Sequence, residues 1–352
     1  MKKVLIGFLS ITLLTFTLQA QDVSPEKALK KAGKALGSYN LDPAGNTGKL
    51  SEAVDFIKIA LSSETMSQNA ATWLKAGEIY NAVSGGEGAA AQLAAVKGET
   101  FEYKDFTSAV LAQEAFAKVF ELAPKKFQKK EALSGMQETV GYLNQLANAK
   151  ISGDNADYAG AYPILESVGK IRESLLANGK EDIFKEKDAI RQNMLLTAFS
   201  ANAAGKVDRA KTLFAELTSG PGADAQVYKM YYDVLSSTND PMADKVLMEG
   251  KSKFPDDKDL IFAEINKLMK AQDFAGLESK LQAAIVAEPN NASVRNVMGD
   301  TYIRLATSAA EKGETETEGS YIEKAVEAYS KAKELSPKDL SLIHISEPTR
   351  PY

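Results

Sequence analysis

The chain has no cysteine at all and one histidine, His344. Without cysteine there are no disulfides and no thiol chemistry, so any fold must be held by its apolar core. With a single histidine near the far end, Ser-His-Asp triads and the usual zinc, haem and copper sites have no residues to build on. No cofactor is expected. Alternating β-branched runs, the mark of strands, are nearly absent. No Gly-Lys-Ser/Thr follows the glycine-rich stretch Ser84-Gly85-Gly86-Glu87-Gly88, so a phosphate-cradling loop is not indicated, and that stretch reads as a linker between helices. The formal net charge is −5, and the segment between the two ends is more acidic still. Such a balance argues against nucleic acid as a partner, because phosphates demand a basic surface.

Both ends have to be set aside before the fold is read. Lys2 and Lys3 precede an uncharged apolar run, Val4 to Leu18, and then Gln19-Ala20 and Gln21-Asp22. This is the order of a secretory signal, with cleavage expected after Ala20. The run is shorter than the ~20 residues a spanning helix needs, so no transmembrane segment is expected in the mature chain. No cysteine follows it to carry a lipid. The expected location is the periplasm. At the other end Leu340 to Arg350 reads LSLIHISEPTR. This string resembles the translation of a transposon-end sequencing adapter. Residues 340–352 are therefore expected to be a non-native tail, and the natural chain to continue past Asp339. The remaining organisation is 1–20 signal, 21–339 helical repeat domain and 340–352 tail.

Between those ends the prolines keep time. Pro221, Pro255 and Pro289 stand 34 residues apart, and Pro337 follows 48 residues later. A fixed period of this size means stacked supersecondary units. Ala53, Phe56, Ile57, Ala60 and Leu61 fall on one helical face. Thr72-Trp73-Leu74-Lys75-Ala76-Gly77-Glu78-Ile79-Tyr80 runs Trp, small residue, Gly, Tyr. Downstream helices place a small residue, a large one four later, and proline eight after that: Ala112, Phe116 and Pro124; Ala243, Leu247 and Pro255; Ala325, Tyr329 and Pro337. Leu277, Leu281 and Pro289 keep the spacing without the small residue, and Ala210, Phe214 and Gly222 keep it with glycine in place of proline. A small residue lets paired helices approach, and a large one a turn later fills the space beyond. Proline cannot continue the helix before it and pre-sets the start of the next.

These residues resemble the tetratricopeptide repeat, over most of 24–337 and most weakly in 125–180. The resemblance implies an all-α, right-handed α-solenoid of about seven helix pairs: 24–64, 65–124, 125–180, 181–221, 222–255, 256–289 and 290–337. The extra residues of the seventh should lengthen both its helices by about two turns. In such a stack Trp73 packs inside its pair.

The resemblance also implies a function: a non-enzymatic scaffold holding a partner protein or peptide in its concave face. In these repeats the first helix of each pair lines that face. Registering on Ala198, Tyr231, Ile265 and Gly299 gives an expected lining. It consists of Leu195, Phe199 and Asn202, then Tyr228, Tyr232 and Leu235, then Phe262, Asn266 and Met269, then Asn296, Asp300 and Ile303. Two alternatives stand beside it: a structural subunit of an envelope assembly that binds through helix edges, and the repeat part of a longer protein with a catalytic domain beyond Asp339. Carboxylate pairs are the one acid–base option left, and a one-dimensional stack fixes no such pair at a cleft, so no enzyme is expected. Glu314, Glu316 and Glu318 do not have calcium-loop spacing and read as a solvated turn. Asp154, Asn155 and Asp157 read as turn and cap residues.

Overall fold

The computed structural model describes residues 23–122 and 124–337. The expected secretory signal, 1–20, and the expected non-native tail, 340–352, lie outside them. The described residues are all-α, fifteen helices with no strand among them, and they fall into two compact units that divide after Lys185. The first unit holds α1 (Pro25–Leu41), α2 (Thr47–Leu61), the single turn α3 (Glu64–Ser67), α4 (Ala70–Lys97), α5 (Ser108–Glu121), α6 (Lys126–Ile151) and α7 (Tyr158–Ala177). The second holds α8 (Lys187–Ala203), α9 (Val207–Ser219), α10 (Ala225–Ser237), α11 (Ala243–Lys253), α12 (Lys258–Ala271), α13 (Phe274–Ala287), α14 (Ala292–Glu311) and α15 (Thr315–Leu335). Apart from α3 these are seven consecutive hairpins, α1/α2, α4/α5, α6/α7, α8/α9, α10/α11, α12/α13 and α14/α15, each helix packed on its sequence neighbour. In the seventh, helices of 20 and 21 residues replace the 14 and 14 of the sixth, the lengthening anticipated above.

The proline ladder marks ends and not beginnings. Pro221, Pro255, Pro289 and Pro337 each follow directly on the residue that caps the preceding helix. The next helix is started by an Asp or Asn two or three residues further on. Asp224 Oδ1 accepts from the Val227 amide at 2.9 Å, Asp257 Oδ1 from Leu260 at 3.0 Å and Asn291 Oδ1 from Val294 at 3.1 Å. Each side chain satisfies one of the amides that a helix start leaves without a partner. Asp157 caps α7 in the same way, through the Gly160 amide at 2.8 Å. Glu316 and Glu318 stand in the first turn of α15, where carboxylates meet the positive end of the helix dipole.

The packing residues of the repeat pattern are where the pattern puts them. Ala112, Phe116, Ala210, Phe214, Ala243, Leu247, Leu277, Leu281 and Ala325 are all buried. Two of the large residues of the pattern, Phe116 and Tyr329, meet glycines. A Cβ on Gly77 of α4 would lie 2.5 Å from the Phe116 ring, and one on Gly135 of α6 would lie 2.2 Å from it, so Phe116 is wedged between two first helices. A Cβ on Gly299 would lie 2.4 Å from the Tyr329 ring. Trp73 departs from the interior position: it is half-buried, and its indole Nε1 donates to the Ser67 carbonyl at 2.7 Å, tying α3 to the start of α4.

The reading of Ser84 to Gly88 as a linker is corrected. Helix α4 runs unbroken through it for 28 residues. Three glycines in a helix interior cost about 1 kcal/mol each relative to alanine. What they permit is close approach. Cβ atoms on Gly85, Gly86 and Gly88 would lie 2.8 Å from the Tyr142 hydroxyl, 2.9 Å from the Tyr39 hydroxyl and 2.8 Å from Gln145 Oε1. The connection comes later, at residues 98–107, and it is ordered by α4 itself. Glu87 accepts from the Lys104 and Asp105 amides, both at 3.1 Å, while Phe101 packs edge to face on Tyr103 and Tyr103 lies tilted against Phe106.

Candidate functional site

In the first unit the first helices of three successive hairpins, α1, α4 and α6, enclose an open cavity of about 880 Å³. Bare backbone forms part of its wall at Gly85, Gly86 and Gly135. Tyr39 from α1 and Tyr142 from α6 lean over the two α4 glycines, each half-buried. Tyr142 donates to Glu138 Oε1 at 2.6 Å. Burial, and then the bond to and charge of Glu138, raise the Tyr142 phenol above its ordinary range, so it stays a donor at physiological pH. Asn40, Ala89, Glu131 and Ser134 line the mouth and are exposed. Glu78 on the wall is paired with Lys75.

One polar residue at this site is structural. Asn81 of α4 is buried. Its Nδ2 donates to the Gly135 carbonyl at 3.0 Å, and its Oδ1 accepts from Thr139 Oγ1 at 2.8 Å. Thr139 itself is fully buried. The pair joins α4 to α6 directly beneath the cavity.

The lining expected on the last four hairpins is only partly on the surface. Phe199, Asn202, Asn266, Met269, Asp300 and Ile303 are exposed, and Leu195, Phe262 and Asn296 are half-buried. Met269 and Asp300 meet in a small pocket of about 170 Å³ between α12 and α14, beside Thr301, Phe274 and Arg304. Asp300 is engaged there by the Tyr329 hydroxyl at 2.7 Å. The trio on α10 is corrected. Tyr228, Tyr232 and Leu235 are 0 %, 7 % and 1 % exposed and belong to the core. The reason is Gly250 of α11, whose missing side chain lets the Tyr228 ring sit against its backbone; a Cβ there would lie 2.8 Å from Tyr228 Cβ. Helix α10 therefore buries a wider face than its neighbours. The registering residues Ala198, Tyr231, Ile265 and Gly299 are all buried, as packing positions should be.

No protein-family model matches the chain. It is similar to a tetratricopeptide-repeat protein. That relative, a TPR repeat-containing protein of Pseudomonas aeruginosa, is 29% identical over 142 residues, which are 40% of this chain and 22% of the relative's length. Among solved structures, YrrB, described as a TPR protein with an unusual peptide-binding site, aligns with a TM-score of 0.38 at 17% identity, over 66% of this chain and 97% of its own. The TPR-like character of this chain rests on its hairpins, their glycine and aromatic packing and the curated relative. Among the described residues no group of three His, Cys, Asp or Glu is placed to hold a metal ion, and no helix is long and apolar enough to cross a membrane.

The cavity on α1, α4 and α6 was not anticipated. Its signal was present as glycines at Gly85, Gly86 and Gly135 within long helical stretches, with tyrosines on the flanking first helices.

Proposed function

We propose that this chain is an exported, non-enzymatic scaffold that binds a segment of another protein in the cavity between α1, α4 and α6. One observation supports this above others: three successive first helices combine to form an open cavity whose wall is bare glycine backbone beside tyrosine hydroxyls. The glycines let Tyr39 and Tyr142 lie close over α4, and the tyrosine hydroxyls together with the exposed Asn40 amide are groups that can bond the main chain of a ligand. The lining carboxylates Glu78 and Glu138 are already engaged, by Lys75 and by the Tyr142 hydroxyl, which leaves the exposed groups of the mouth free for binding.

The test uses the full chain expressed with its N-terminal segment. A photo-crosslinkable residue at Ala89 or Ser134, both exposed on the cavity, should trap a discrete partner in envelope extracts. The same residue at Gln137, exposed on α6 but outside the cavity, should not. Ala89→Trp with Ser134→Trp should abolish the adduct at a third cavity position without altering the far-ultraviolet circular dichroism. Equal trapping at all positions, or trapping undiminished by the two tryptophans, would remove the cavity from consideration.

Export carries its own test. The mass of the chain recovered from the periplasm should begin at Gln21, and an intact Met1 would refute it.

A further inference from the structure

The first unit carries a second concave surface, which shares Phe127 and Lys130 with the cavity described above and otherwise lies beyond it. Lys126, Phe127, Lys129, Lys130, Leu133 and Lys180 line an open hollow of about 620 Å³ where α6 begins and the chain leaves α7. Lys125 stands one residue before α6. All five lysines are exposed, and among the described residues none is ion-paired with a carboxylate. Elsewhere in the unit Lys49, Lys75, Lys118 and Lys150 each hold one. Lys129 lies over the Phe120 ring, 5.9 Å from its centre. Phe127 is 56 % exposed in the middle of this charge.

The arrangement works against the stability of the free protein. Four lysines occupy the last residue before α6 and its first five positions, where the helix dipole favours acids, and no acid stands in that first turn. Lys125 with Lys129, and Lys126 with both Lys129 and Lys130, are like charges at neighbouring helical spacings, which repel. Leaving a large ring in water among them adds the loss of its burial. An anionic partner with an apolar group would relieve all of these at once. The whole chain is acidic, so the lysines are a local reversal and not a general basic character.

We infer that this hollow is a docking site for an acidic peptide segment that carries a large apolar side chain, the side chain entering beside Phe127 and Leu133 and the carboxylates pairing with the lysine rim. The lining argues against a membrane surface. A bilayer is met by several apolar groups that project together, and here a single exposed ring, Phe127, stands among lysines while Leu133 is buried.

The probe is a fluorescein-labelled twelve-residue peptide of glutamates and aspartates around one phenylalanine, titrated against the full chain. Saturable binding is expected that weakens steeply between low and moderate salt. Replacing the peptide's phenylalanine with serine, or its acids with glutamines, should each weaken binding at least about tenfold. Lys126→Glu with Lys130→Glu should do the same, and so should Phe127→Ser. Lys126→Gln with Lys180→Gln is the milder pair for use should charge reversal disturb folding, and it should weaken binding several-fold. Several outcomes would overturn the inference: no saturable binding, binding indifferent to the phenylalanine, or tighter binding of phosphatidylglycerol vesicles or of a thymidine oligonucleotide that the same variants abolish. Ala89→Trp with Ser134→Trp should leave peptide binding unchanged, and Lys126→Gln with Lys180→Gln, which lie outside the cavity lining, should leave crosslinking from the cavity unchanged, so loss of the cavity function and loss of this one are separable.

Discussion

Phe116→Ala is expected to cost the first unit about 3–5 kcal/mol, the range for removing a fully enclosed aromatic ring. The ring is 1 % exposed and fills the space that Gly77 and Gly135 leave open on two different first helices, so its loss empties a junction between hairpins. The sharper measurement is a double-mutant cycle with Gly135→Ala. In an open helix interior, glycine to alanine stabilises by about 1 kcal/mol. Gly141, in the same helix with nothing near its missing Cβ, should show that gain. At Gly135 the added methyl meets the Phe116 ring, and overpacking of this kind costs about 1–3 kcal/mol, so Gly135→Ala alone should destabilise. In the Phe116→Ala background the obstacle is gone and the same substitution should stabilise. Chemical denaturation of the four proteins measures this directly. A Gly135→Ala that stabilises the wild-type chain would mean that the ring is not where the packing places it.

Tyr228→Ala should have an effect of the same size in the second unit, again about 3–5 kcal/mol, read as a fall in Tm on the order of ten degrees. The side chain is fully buried. Its ring lies against Gly250 and Phe254, the latter at 6.1 Å between centres, and Lys253 sits 5.0 Å above its face. Its hydroxyl is within 3.1 Å of both the Thr218 carbonyl and Glu249, and accepts from Lys253 at 2.5 Å. Tyr228→Phe keeps the ring and removes only those bonds, so a loss of about 1 kcal/mol is expected. The ordering of the two variants is the diagnostic. If Tyr228→Ala kept the wild-type Tm while a partner no longer bound, the residue would face a ligand after all and the burial of α10 would be wrong.

The hairpins were legible because their signals are local. Pro221, Pro255 and Pro289 sit at element ends, and Ala112 with Phe116 or Ala243 with Leu247 lie one turn apart on a single helix. Apart from Trp73, whose departure comes from a bond to Ser67 six residues away, the misreadings share a different origin, in that each depends on a contact between residues far apart in the chain. Gly85, Gly86 and Gly88 look like a break unless Tyr39 and Tyr142 are known to lie over them. Tyr228 looks like a surface residue by repeat register unless Gly250 is known to let it sink. The cavity was missed because it lies on the hairpins where the repeat pattern is interrupted by long helices, and a motif register cannot be carried across them. The lysine rim was missed because net charge is an average over the chain, and five neighbouring positives vanish in it.

The Asn81 link to α6 bears on how the cavity keeps its shape. Apolar packing already sets a register between α4 and α6, through the Phe116 ring held between Gly77 and Gly135, but apolar surfaces can be repacked more readily than directional bonds can be re-formed. A buried amide aimed at one carbonyl and one hydroxyl has no such second solution: Thr139 Oγ1 can still bond the Gly135 carbonyl, at 2.8 Å, but after a slide the Asn81 amide would be left unbonded away from water. Asn81 thus acts as a register key between α4 and α6. That Tyr142 falls opposite Gly85, and not a turn above or below it, follows from an asparagine that itself need never touch a ligand.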